Sequence, residues 1–105
     1  MSSYAEIQAD IAKARELENR AAALERLKAS PDFRLIFTEG LFKEEMTNCV
    51  LRLHKANPEE KELLTGKLSA ISFLASHLDM ISARGKHARQ SIIEGLRLLD
   101  EFDEE

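Results

Sequence analysis

Apolar residues recur along this chain at steps of three and four, the spacing of one helix face, and nowhere alternate for long enough to build a strand. The first such run is Ile7, Ile11, Ala14, Leu17, Ala21, Leu24 and Leu27, with charges such as Lys13, Arg15, Glu18 and Arg20 between them. Ser3 followed by Glu6 has the spacing of a capping box, in which each side chain satisfies the other's free backbone N–H. Together they predict a helix over 3–29. A helix of about 26 residues is about 39 Å long, more than a small domain needs, and this stripe is narrow and rich in alanine. Part of the helix is therefore expected to pack on another chain.

Ser30-Pro31 marks a fresh start, since proline cannot sit inside a helix but suits its first position after a serine cap. Phe33, Ile36, Phe37, Leu41, Phe42, Met46, Cys49, Val50 and Leu53 then form the densest stripe of large apolar residues in the chain. This second helix, predicted over 31–56, is the expected core. Gly40 interrupts it at a cost of about 1 kcal/mol relative to alanine, so a kink or a close helix contact is expected. Of the two, a break at 39–40 into a short and a longer helix is favoured.

Asn57-Pro58-Glu59-Glu60 repeats the start signal, with acids placed against the positive end of the helix dipole. Leu64, Leu68, Ile71, Ala75 and Leu78 follow, and the same count lands on Ile92, Leu96 and Leu99. Between them the stripe holds Ser82, Gly85 and Arg89. A third helix over 58–102 either runs through this polar middle or breaks at 84–86, and the retained phase favours running through. The expected fold is all-α: three helices, or four to five with both breaks, as an extended helical hairpin or bundle with coiled-coil-like packing in a single domain over 1–105.

Composition narrows the picture further. Of 105 residues 44% are apolar and 32% charged, with only four glycines and two prolines. That composition argues against both disorder and a β-sandwich. The net charge of −4 belongs to the acidic tail over 100–105, which holds five acids and leaves the rest close to neutral. Such a tail is expected to be a solvated, frayed end. The longest stretch free of Asp, Glu, Lys and Arg runs from Leu68 to Leu78, short of the ~20 apolar residues a membrane helix needs. No membrane partner is expected. The opening residues lack the basic and apolar regions of a secretory leader, and Cys49 is the single cysteine, so a reducing intracellular setting is expected.

The residue types that carry chemistry do not converge. Cys49 and His54 point apart on a helix, and His77 and His87, ten residues apart, are too distant along a helix to ligate one metal. Cys49 lies among Met46 and Val50 and reads as a buried small hydrophobe. Glu44-Glu45 and Glu59-Glu60 are adjacent pairs that diverge around a helix. Thr65-Gly66-Lys67 lacks the upstream glycine, the following Ser or Thr and the preceding strand of a phosphate loop. No catalytic residue, metal site or cofactor is expected, and the chain reads as non-enzymatic. Arg84, Lys86 and Arg89, joined by His87 in an acid-free stretch, are the one local cationic feature and could meet nucleic acid or an acidic surface.

The block from Pro31 to Ile81 carries Pro31-Asp32-Phe33, Gly40 with Phe42, Glu44-Glu45, an apolar helix, and Ala70-Ile71-Ser72 followed by Leu74 and Leu78. It is similar to small helical proteins encoded by tailed bacteriophages, over about half the chain. That resemblance implies a variable N-terminal helix, a place among virion or assembly genes, and no catalytic residues to carry over. The expected role is a phage structural or assembly protein in the host cytoplasm or the virion. It would self-associate or bind capsid, portal or tail proteins through Ile7, Ile11, Leu17, Leu24, Leu64, Leu68, Ile71, Leu78, Ile92, Leu96 and Leu99. A regulatory, nucleic-acid-binding or host-takeover protein using Arg84, Lys86 and Arg89 is the alternative.

Overall fold

The computed structural model describes residues 3–103. Helix α1 is Tyr4–Ala29. Helix α2 covers 31–53 in three consecutive stretches: an α-helical Pro31–Phe33, a π-helical Arg34–Glu45 and an α-helical Met46–Leu53. Helix α3 is Pro58–Asp103. The fold is all-α, with no strand among the described residues.

All three predicted starts are made by the side chains that announced them. Ser3 Oγ accepts from the Glu6 N–H at 3.1 Å while Glu6 Oε2 accepts from the Ser3 N–H at 3.2 Å, the reciprocal bonds of a capping box. Ser30 Oγ accepts from the Phe33 N–H, with Pro31 entering the first helical turn. Asn57 Oδ1 accepts from the Glu60 N–H at 2.9 Å, and Asn57 Nδ2 donates back to Glu60 Oε1. Helix α2 stops at Leu53, earlier than predicted, because the chain tightens there: the Lys55 N–H donates to the Arg52 carbonyl, three residues back.

Two predictions about glycines resolve differently. The expected break at Gly40 does not occur, and the chain stays helical from Pro31 to Leu53. The strain is taken up instead by π-helical turns, whose hydrogen bonds reach five residues back rather than four. A β-carbon at Gly40 would lie 3.0 Å from the Leu35 carbonyl oxygen, five residues earlier, so glycine fits the widened turn without crowding its acceptor. The wider turn also shifts which residues face inward. Ile36 and Val50, predicted as core, are exposed, while Phe33 and Cys49 are buried. At Gly85 the continuous reading holds, and α3 passes through without interruption.

The chain forms two compact units. The first combines α1 up to Glu25 with α3 from Met80 onward. There the two helices run antiparallel in register: Tyr4 meets Phe102 edge-on at 5.8 Å, Gly95 lies against Ile11, and Gly85 against Ala21. Ile7, Ile11, Ala14, Leu24 and Ala88 are buried, and Leu17, Ile92, Leu98 and Leu99 half-buried. With alanine and glycine at so many contacts, the backbones approach closely but little apolar area is covered.

The second unit is Arg26–Asp79. Phe33 stacks on Phe37 at 4.9 Å and Phe37 tilts onto Phe42 at 6.4 Å, pairs that each contribute about 0.5–1.5 kcal/mol beyond their burial. Phe33, Cys49, Leu64 and Ile71 are buried. Glu45 of α2 meets Lys67 of α3 at 3.5 Å, an exposed pair that stabilises by about 0–1 kcal/mol.

Candidate interaction surfaces

In the first unit the antiparallel pair of helices has two flanks, and each flank is a groove. One groove of about 800 Å³ is lined from α1 by Ile7, Asp10, Lys13, Ala14 and Leu17 and from α3 by Met80, Arg84, His87, Ser91, Glu94 and Leu98. Its surface is predominantly apolar. The other, about 340 Å³, is lined by Glu18, Ala21, Ala22 and Glu25 opposite Ser82, Gly85, Lys86 and Arg89.

This division separates the cationic residues that the sequence grouped. Arg84 opens on the first groove, whereas Lys86 and Arg89 open on the second beside Glu18 and Glu25. Residues two apart on a helix diverge by about 200°, which is why Arg84 and Lys86 part company. Cations facing carboxylates make a poorer track for phosphates than a one-signed face does.

One charge cluster is well defined. Arg97 donates to both oxygens of Glu94 and to Glu101, one turn away on either side. The hydrogen bonds and the charge of Arg97 hold the Glu94 carboxyl below the ordinary glutamate range, and the two acids hold Arg97 above its own. All three side chains are exposed, so the cluster decorates the helix rather than forming a reactive centre.

The second unit leaves large apolar side chains outside. Leu35 is 70% exposed on α2, and Leu63 and Phe73 are 73% and 75% exposed on α3. Leu63, Gly66, Ala70 and Phe73 follow steps of three and four, so they share one face of α3. Beside it, Ile36, Phe37, Gly40 and Leu41 of α2 and Ala70 and Ile71 of α3, together with the paired Glu45 and Lys67, line a mainly apolar groove of about 570 Å³.

The eleven residues expected to meet a partner fall into two groups. Ile7, Ile11, Leu24, Leu64 and Ile71 are buried in the cores of the two units, so each leaves little of its surface exposed. Leu17, Leu68, Leu78, Ile92 and Leu99 are half-buried, and Leu96 is 44% exposed. In the second half of α3, Ala88 and Gly95 take the inward places that the count had given to Arg89 and Leu96. The signal was legible: Gly85, Ala88, Ile92, Gly95 and Leu99 also follow steps of three and four, with small residues where backbones meet. The outward Leu63 and Phe73 went unnoticed because they lie off the Leu64–Ile71 stripe.

Cys49 is 1% exposed, its sulfur 3.9 Å from Glu45 Oε1. No group of three His, Cys, Asp or Glu side chains able to hold a metal occurs among the described residues. No described helix is long and apolar enough to cross a membrane.

No family model, curated protein or solved structure matches this chain.

Proposed function

We propose that this chain is a non-enzymatic structural or assembly protein of a tailed bacteriophage, working through helical contacts with virion components. The observation that carries the proposal is the outward apolar face of the second unit, with Leu63 and Phe73 about three-quarters exposed on one side of α3. Scattered single apolar residues on a surface are ordinary, but leucine and phenylalanine repeated along one helix face beside an apolar groove are what a docked partner covers. The phage assignment draws on the resemblance of the Pro31–Ile81 block, which contains this same face.

The test is direct binding. Purified chain is titrated against the capsid, portal and tail proteins encoded beside its gene, with Leu63→Gln and Phe73→Gln as variants. Binding to one of them that both substitutions weaken supports the proposal. A chain that binds none of them ends it.

The cationic residues motivate a second reading, a small nucleic-acid-binding regulator using Arg84, Lys86 and Arg89. Its test is salt-dependent DNA binding lost when all three are changed to glutamate. The opposite grooves into which Arg84 and the other two fall weigh against it.

A further inference from the structure

Three of the four glycines lie against another part of the chain: Gly40 against the Leu35 carbonyl, Gly85 against Ala21 and Gly95 against Ile11. Gly66 lies against nothing, since no atom comes within 4 Å of a β-carbon placed on it. A glycine inside a helix weakens it, and the usual gain is room for a second backbone to come close. At Gly66 that room opens outward, in the middle of the exposed apolar face that carries Leu63 and Phe73.

The face has a further regularity. Glu59, Leu63, Gly66, Ala70, Phe73 and His77 follow steps of four and three along α3, and all six are exposed. They are spaced symmetrically about position 68, with Gly66 and Ala70 two residues to either side, Leu63 and Phe73 five, and Glu59 and His77 nine. Read from either end, the row is polar, large, small, small, large, polar.

We propose that a second copy of the chain covers this face, its α3 running antiparallel to the first about a two-fold axis level with Leu68. In that arrangement each residue of the row packs beside its mirror position in the copy. Gly66 then meets Ala70, which lets the two backbones close together, and Leu63 meets Phe73 on either side of them. At the two ends Glu59 meets His77, whose imidazole N–H donates to a carboxylate. Every one of these contacts is made twice. A parallel pair would instead set Glu59 against Glu59 and His77 against His77, and like groups face to face oppose association. The flanking charges leave the antiparallel register intact: the two Lys67 side chains lie beside the axis, each held by Glu45 of its own α2, and Glu62 falls beside Ser76 of the copy rather than beside another acid.

This inference rests on the proposed function's reading of the face as a contact surface, and it names what holds that face in the free chain: a virion component that docks there displaces the copy. It is tested on the full chain by sedimentation equilibrium, with circular dichroism to show that every variant keeps its helix content. The wild-type chain is expected to be a dimer. Gly66→Leu has open space within one chain, so it is expected to leave the fold intact while holding the two helices apart and weakening the dimer at least about tenfold. His77→Glu, which meets the copy's Glu59, should weaken it as well, and adding Glu59→Lys should bring the affinity back. That recovery belongs to the antiparallel register alone, because in a parallel pair the double variant sets lysine against lysine and glutamate against glutamate. A wild-type monomer overturns the inference, as does a dimer indifferent to Gly66→Leu, or one weakened by His77→Glu but not restored by Glu59→Lys. A monomer that binds a virion protein through Leu63 and Phe73 overturns the inference and leaves the proposed function standing. A dimer with the expected behaviour that binds no virion protein does the reverse.

Discussion

Gly85 of α3 lies directly against Ala21 of α1, so close that a β-carbon on the glycine would overlap the alanine side chain. The residue that looked like the weakest point of the longest helix is thus a point of close contact between two helices. Replacing Gly85 by valine is expected to destabilise the chain by about 1–3 kcal/mol through overpacking. At Gly66 nothing lies within 4 Å of an added β-carbon, so Gly66→Ala is expected to stabilise by about 1 kcal/mol through helix propensity alone. Urea melts of the two variants check both signs, and equal effects at the two sites would contradict the close approach.

The caps are a second target. Asn57 both accepts the Glu60 N–H and donates to the Glu60 carboxylate, so Asn57→Ala is expected to cost about 1 kcal/mol, while Asn57→Asp keeps the accepting bond and most of the stability. Chemical denaturation of the pair reads the difference.

Cys49 is buried on α2 and should be inert toward a thiol reagent in the folded chain. Its labelling rate is expected to rise with denaturant in step with unfolding. Fast labelling under native conditions would mean that the second unit opens locally.

Glu94 supplies a pH test. Its carboxyl is held low by Arg97 in the folded chain, so the folded state binds its proton less readily than the unfolded state does. The pair's contribution is present above the ordinary glutamate range and is lost as pH falls through the lowered value. Carboxyl NMR should find Glu94 titrating below the ordinary glutamate range. Arg97→Gln should bring it back, and added salt should shrink the difference because the pair is exposed.

Ser3, Ser30 and Asn57 each announced a helix, and each makes the bond expected of it, because a cap is a contact between residues three apart that needs nothing from the rest of the fold. The three helix starts and the all-α class were for the same reason legible in the sequence, through local chemistry and the three-four spacing of apolar residues. What only the tertiary structure decided is how each glycine is used and which apolar residues remain outside. Gly40 could have broken its helix or widened it, and Gly85 could have been a gap or a contact. The outcome depended on Leu35 and on Ala21, the second of them far away in sequence. Likewise Leu64 is buried and Leu63 exposed, though both are leucines in the same turn. Spacing defines a stripe, but the packing of one helix on another sets how much of it is covered, and side chains just beyond its edge are left outside.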